Sequence, residues 1–331
     1  MATPQAAEEA QLHTLKFSSV IEGEAGTLAT LVKACERDGF FYLDLSGWDS
    51  GDMLTTLQDA GALMKEWFKQ PLDKKMATET ISDAHGYKPP GVQSGVTENT
   101  RDGFEALRIS RTGMLNREHL PEIVRNNLSI FEKYQLSAHY VLMTLLTRLS
   151  DATGLQGNER YEAYHPDDLP SKSTLFFLHH PTTSALPGDQ SGRGHNAHTD
   201  VGSFTLLVTE QPGLQVLSPV TGRWEYVDAK PGHAIINVAD TLRFISGRRF
   251  RSAMHRVLPP GADGRMAQDR YSTAYFLRAG DDVVLTGMDG SQITAGEWFL
   301  SKYASFNQST EEQRSNSIAT GGMERDLGVA I

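Results

Sequence analysis

The sequence predicts a mainly β fold with surrounding helices, built on a double-stranded β-helix, or jelly roll. Two observations carry this expectation. From Ser173 onward, short apolar runs recur at hairpin spacing: Thr174–Leu178, Phe204–Val208, Leu214–Leu217, Ala234–Val238, Met254–Val257 and Tyr271–Phe276. Clusters of Gly, Pro, Asp or Ser separate them, the punctuation of turns between strands. Before that point the texture is helical, with apolar positions three and four apart. Many short strands of this kind suit two packed sheets rather than a parallel sheet.

The elements follow in order. Residues about 26–38 read as a helix, and Phe40–Leu45 as a short aromatic strand. Residues about 50–69 read as an amphipathic helix that stops before Pro71. The stretch 80–104, with Gly86, Pro89, Pro90, Gly91 and Gly95, reads as a long irregular segment and a candidate substrate lid. A long helix is expected over about 121–153, ending at Gly154, with Leu136, Tyr140, Leu142, Met143, Leu146 and Leu149 facing the sheet. The tail, 305–331, is expected to be partly helical. The organisation is thus an amino-terminal helical and mixed region, 1–165, and a jelly-roll core with its tail, 166–331, in one integrated unit.

Composition narrows the function. The 331 residues, 39% hydrophobic and 22% charged, are ordinary for a soluble globular protein. No run of about 18 apolar residues exists, so no transmembrane helix is expected. The first ten residues are polar and acidic, unlike a signal peptide. The single cysteine, Cys35, excludes an internal disulfide and fits a reducing, cytoplasmic setting. A net charge of −10 repels phosphate backbones. The expected partner is a small-molecule substrate, with no nucleic acid and no membrane; the oligomeric state stays open.

Chemistry concentrates at His198-Thr199-Asp200 and His255. Two histidines and a carboxylate form the ligand set of non-haem Fe(II) oxygenases, which leaves one face of the ion open. On a strand, residues two apart share a face, so His198 and Asp200 can reach one ion while Thr199 points away. Alone, a His-x-Asp is commonplace and most often a surface turn. The flanking residues change that. Gly194 to Leu207, Asn237 to Leu242, Ile245-Ser246-Gly247 and Arg251 to Val257 resemble the iron-ligand segments of the Fe(II)/2-oxoglutarate-dependent dioxygenases, in their isopenicillin-N-synthase-like branch. Gly213 to Val216, Trp224 and Pro231-Gly232 fit between them. The resemblance is strong over about 170–280 and weaker through Asp38 to Tyr42 and Phe68 to Pro71.

The resemblance implies Fe(II) held by His198, Asp200 and His255, with 2-oxoglutarate and O2 as co-substrates. Succinate and CO2 would be the co-products of hydroxylating, desaturating or rearranging a small molecule at a C–H bond. Arg270 and Ser272 match the family's Arg-x-Ser pair for the far carboxylate of the oxo acid, which in an apolar barrel needs a fixed cation. Many members carry Tyr where this chain has His180, whose imidazole can also donate a hydrogen bond. His195 reads as a loop residue rather than a fourth ligand, and His179 as lying outside the pocket. Candidate substrate walls are Tyr87, Phe104, Leu107, Arg108, Phe176 and Phe276. Overall texture resembles fungal and bacterial members of secondary metabolism, and because the family's carboxy-terminal segment can cover the active-site mouth, the resemblance makes the tail, 305–331, a second candidate lid. Two rival readings remain at this point: an oxidase that needs no oxo acid, and an idle metal-bound metabolite sensor.

Overall fold

In the computed structural model, which describes residues 8–48, 52–95, 100–182, 194–258 and 268–327, the chain begins with β1 (Thr14–Lys16), α1 (Phe17–Glu22), α2 (Ala25–Arg37), β2 (Phe40–Asp44), α3 (Asp52–Phe68) and α4 (Leu72–Met76). It continues through β3 (Gly86–Lys88), β4 (Glu105–Ser110), α5 (Arg111–Asn116), α6 (Glu122–Asn126) and α7 (Leu128–Thr153). The strands β5 (Thr174–His180), β6 (His195–His198), β7 (Phe204–Thr209), β8 (Leu214–Leu217), β9 (Trp224–Tyr226) and β10 (His233–Val238) follow. Then come α8 (Asp240–Ile245), β11 (His255–Val257), β12 (Arg270–Leu277), β13 (Val284–Thr286), β14 (Gln292–Thr294), α9 (Ala295–Phe306), α10 (Thr310–Asn316) and α11 (Met323–Leu327).

Two sheets make the jelly roll. The larger has the order β1-β2-β10-β7-β12-β5-β4-β3, and the smaller β6-β11-β8-β9. Four strands of the larger sheet come from before residue 165 and four from after it, so both halves of the chain share one sheet.

Strand periodicity sorts side chains between the two faces of the large sheet. Phe41 and Leu43 of β2, Leu107 and Ile109 of β4, Leu175 and Phe177 of β5, and Tyr275 and Leu277 of β12 join the main core. That core is completed by α2, α3 and α7, through residues such as Leu31, Met64, Phe131, Leu142 and Leu149. Each such side chain contributes about 2 kcal/mol when fully buried. The alternate residues face the small sheet. Phe40, Tyr42 and Ile235 meet Leu214, Val216 and Val257 there, and Phe176 and Ala274 join Phe299 and Tyr303 of α9.

The structure corrects some local expectations. The helix over 121–153 is divided at Asn127, and its sheet-facing side is Phe131, Tyr134, Ala138, Val141, Leu142, Leu145 and Leu149. Leu136 and Tyr140 are exposed; Tyr140 stacks on Trp48 at 5.8 Å instead. Spacing alone left the phase of the apolar stripe open, and packing selected it. The segment 80–104 is not wholly irregular, since it contributes β3 and a bridge between Ser94 and Arg101; residues 96–99 lie outside the described set. Of the tail, 305–327 is described and carries α10 and α11.

Gly39, in the turn entering β2, has φ +65, and an added Cβ would lie 2.2 Å from the Arg251 carbonyl oxygen. Gly39→Ala is therefore expected to lower stability by about 3 kcal/mol, measured by denaturant unfolding. His165 is buried between the Tyr161 carbonyl and the Ser203 hydroxyl, and burial pushes its pKa down to about 4. Unfolded, it titrates near 6.5. Its contribution is thus full above pH 6.5 and fades as pH falls toward 4, at up to about 1.4 kcal/mol per pH unit. His165→Gln should flatten the acid limb of the stability–pH curve over that window.

Candidate active site

Three side chains converge between the sheets. His198 ends β6 and His255 begins β11, and the two residues are direct cross-strand partners. Asp200 lies two residues past the strand end rather than on the strand, held there as the Asp240 N–H donates to its carbonyl at 2.9 Å. One oxygen of Asp200, Oδ1, sits 3.7 Å from Nε2 of each histidine. One donor atom from each residue falls within 4.8 Å of the others, and all three residues are buried.

Hydrogen bonds behind these atoms aim them. His198 Nδ1 meets the Asn196 carbonyl at 2.7 Å, and His255 Nδ1 meets the Ala253 carbonyl at 3.1 Å. A carbonyl can only accept, so each Nδ1 carries a proton, and in the neutral ring Nε2 keeps its lone pair. The other oxygen of Asp200 accepts from Thr205 Oγ1 at 2.6 Å and Asn237 Nδ2 at 2.8 Å. Burial, aided by His255, holds the His198 imidazole well below its ordinary pKa, hence neutral. Burial opposes ionisation of Asp200, but the two histidines and the bonds from Thr205 and Asn237 prevail and lower its pKa. Two imidazoles and an ionised carboxylate are the donor set that suits Fe(II).

Arg270 stands on β12 opposite His180 of β5. It is 1% exposed and uses Nη1 on Ser272 Oγ at 3.0 Å, while Nε and Nη2 have no partner among the described residues. Burial lowers its pKa to about 10, which still leaves it charged at neutral pH. Both nitrogens of His180 also lack partners among the described residues, and its ring stacks on Phe104 at 5.1 Å. Burial and then the Arg270 charge keep that imidazole neutral, with one donor and one acceptor.

A cavity at the triad is walled by Phe104, Arg108, Phe176, Phe276, Tyr303 and Phe306, among others. Tyr87 and Leu107 belong elsewhere: both fall on the opposite strand face, in the main core, and the Tyr87 hydroxyl donates to Glu105. The period of two, applied from Arg108 and Lys88, which line the cavity, would have excluded them. His195 is on β6, stacked on His198 at 4.1 Å and lining the cavity, rather than in a loop; it is not among the clustered ligand atoms. His179 points to the helical side and bonds Glu105 and Asp269. Roomier clefts, of about 600 and 660 Å³, lie beside Trp67 and beside Arg314, without the convergent ligand atoms of the triad.

Sequence reasoning missed Arg278, Lys88, Gln93, Tyr303 and Phe306 as cavity residues. It also missed Lys302, whose ammonium donates to Thr199 Oγ1 at 2.6 Å and to buried Asp240. The signal available was a Lys inside an apolar helical stretch, Trp298 to Phe306. The two candidate lids meet here: Ser94 N–H donates to the Phe306 carbonyl at 3.0 Å, and its hydroxyl to that of Gln308.

Comparison with known proteins places this geometry. A family model for the 2OG-Fe(II) oxygenase superfamily matches residues 172–279, and one described as non-haem dioxygenase in morphine synthesis N-terminal matches 12–123. A 2-oxoglutarate-dependent dioxygenase of Gibberella zeae is 44% identical over 320 residues, covering 96% of this chain and 94% of the relative. This chain belongs to the Fe(II)/2-oxoglutarate-dependent dioxygenases. A further member, from Glarea lozoyensis, is 36% identical and covers 97% of this dioxygenase and 95% of its own length. A full-length Neurospora crassa protein, solved with alpha-KG and thymine, aligns with TM-score 0.72 at 21% identity, over 91% of this dioxygenase and 98% of that chain. A likeness at that identity speaks for the fold. Among the described residues, no helix of this oxidoreductase is long and apolar enough to cross a membrane.

Asn237→Ala and Thr205→Val remove the bonds that orient Asp200. Each is expected to weaken Fe(II) or Mn(II) binding by about 10–100-fold in anaerobic calorimetry, with the fold retained.

Proposed function

We propose that His198, Asp200 and His255 hold Fe(II), that Arg270 and Ser272 hold the far carboxylate of 2-oxoglutarate, and that the prime substrate is a small organic molecule oxidised at a C–H bond. The observation that carries the reading is Arg270: a fully buried guanidinium, with two nitrogens lacking partners among the described residues, standing on β12 opposite His180, whose ring stacks on Phe104 of the cavity wall. Leaving such a cation unmatched costs several kcal/mol, whereas a carboxylate meets its fork with two hydrogen bonds. Dioxygenase relatives from fungal sources support a role in tailoring secondary metabolites.

Bound together, Fe(II), 2-oxoglutarate and O2 supply the oxidation, in which the oxo acid becomes succinate and CO2 while a substrate C–H bond is oxidised. The residues of this chain do the rest. The two carbonyl-anchored imidazoles turn their Nε2 atoms toward the Asp200 carboxylate, where the ion would sit. Thr205 and Asn237 keep the carboxylate ionised and correctly turned. Ser272 fixes the plane of the Arg270 fork, and His180, neutral and beside it, offers one further hydrogen bond. Phe104, Phe176 and Phe276 exclude water and pack the substrate, with Arg108 at the same wall. An acidic chain with a fully buried Cys35 is consistent with a cytoplasmic enzyme that does not bind nucleic acid.

Anaerobic addition of Fe(II) and then 2-oxoglutarate to metal-free protein should produce the visible charge-transfer band of a chelated oxo acid. Arg270→Ala should weaken 2-oxoglutarate binding about 100-fold, close to 3 kcal/mol, and His198→Ala should abolish both band and succinate release. Bound iron without a band would favour an oxidase independent of the oxo acid, and a fully active His198→Ala enzyme would overturn the assignment.

A further inference from the structure

Three cations line the cavity of the triad: Lys88, Arg108 and Arg278. Two of them are accounted for. Lys88 is paired with buried Asp102, and its remaining donors go to the Pro89 and Phe104 carbonyls. Arg108 has Asp83 at 3.3 Å, although that carboxylate is 46% exposed and therefore screened by solvent. Arg278 is different. It is 4% exposed, and no carboxylate of the described residues lies within ion-pair reach of it. Its Nη1 serves the Lys172 carbonyl and Thr174 Oγ1, its Nη2 reaches the Tyr303 hydroxyl at 3.3 Å, and its Nε has no partner among the described residues.

Beyond those neutral acceptors, the charge of Arg278 meets aromatic rings. Its guanidinium carbon lies 5.0 Å from the Phe276 centroid and 4.9 Å from that of Phe299. Such contacts are worth about 1–2 kcal/mol, less than the cost of burying an unpaired cation. The co-substrate does not supply the missing charge. On the reading above, Fe(II) and Arg270 are balanced by Asp200 and the dianionic oxo acid, which leaves Arg278 over. The Tyr303 hydroxyl accepts from Arg278, so its own proton is free to be donated to an acceptor in the same cavity.

We propose that Arg278, with the Tyr303 hydroxyl and with Arg108 at the same wall, forms an anion subsite, and that the prime substrate carries a carboxylate. The subsite is separate from Arg270, although Arg278 lies eight residues further along the same interior strand face and beyond its end. The carboxylate anchors the substrate at one end of the cavity, and Phe104, Phe176 and Phe276 pack the apolar body toward the triad. The proposal rests on the cavity being the substrate chamber of the dioxygenase.

The test uses full-length protein, loaded anaerobically with Fe(II) and 2-oxoglutarate and checked by its visible band. Calorimetry then compares a panel of small aliphatic and aromatic monocarboxylates, each with its methyl ester and primary amide. Acids are expected to bind at least tenfold more tightly than their neutral partners. Arg278→Gln should erase that preference by weakening the acids alone, with the band unchanged. Should Arg278→Gln fail to fold, Tyr303→Phe should reduce acid affinity about three- to tenfold. Equal binding of acids and esters, binding of no acid by band-forming enzyme, or an Arg278→Gln protein with lower Tm and intact acid preference would each overturn the subsite. Acid preference in a wild-type protein that forms no band would uphold the subsite while defeating the oxo-acid reading.

Discussion

The buried ion pair between Lys302 and Asp240 ties the site to the rest of the chain. Both side chains are fully buried, so each charge is tolerable only because the other is present. Asp240 also accepts from Ser252 Oγ at 2.7 Å, three residues before His255, and its backbone N–H holds the Asp200 carbonyl. Lys302 reaches Thr199, between the other two ligands. Burial pulls the ammonium below its ordinary pKa, and Asp240 resists that shift. One pair therefore couples α9, the His198–Asp200 segment and the approach to His255. The carboxy-terminal segment is held in the same way, as Thr199 N–H donates to the Ala319 carbonyl and Arg243 to that of Gly321. Removing either partner would strand a charge in the middle of these contacts, a cost of about 3–5 kcal/mol.

The large sheet divides polar chemistry as strictly as it divides apolar packing. On its helical side, Glu105 gathers Lys75, Tyr87 and His179 into one closed cluster, and the carboxyl stays below its usual pKa because those three bonds outweigh burial. That cluster has partners for its charges. On the inner side, Arg270, His180 and Arg278 each keep nitrogens without partners among the described residues. Polar groups within one fold thus separate by satisfaction. The Glu105 cluster is matched within the chain, while Arg270, His180 and Arg278 are left with capacity to spare.

Much of this was legible along the chain because the relevant signals are local. Strand runs from Thr174 to Phe276 show their period, β8 coincides with the expected Leu214–Leu217, and His-x-Asp, His255 and Arg-x-Ser stand at recognisable spacing. Short strands were less visible. β1, β9, β13 and β14, of three residues each, carry too few residues for a period, and β4 is obscured by the irregular segment directly before it. The long helix was legible as a helix, but its buried stripe only in part: Leu142, Leu146 and Leu149 pack as expected, whereas Leu136 and Tyr140, as apolar as the residues that packed, are exposed.

The sequence by itself determined the jelly-roll class from its strand runs, and it marked the His-Asp-His set and the Arg270–Ser272 pair through residue type at short spacing together with the flanking residues that resemble the family. Only the tertiary structure decided which residues wall the cavity. Tyr87 and Leu107 were turned away by one position of strand phase, while Arg278, Tyr303 and Phe306 were brought in from a strand end and a distant helix. The physical reason is that a pocket is made by surfaces meeting across long separations in sequence. No periodicity within a single segment records which face of that segment the partner will cover.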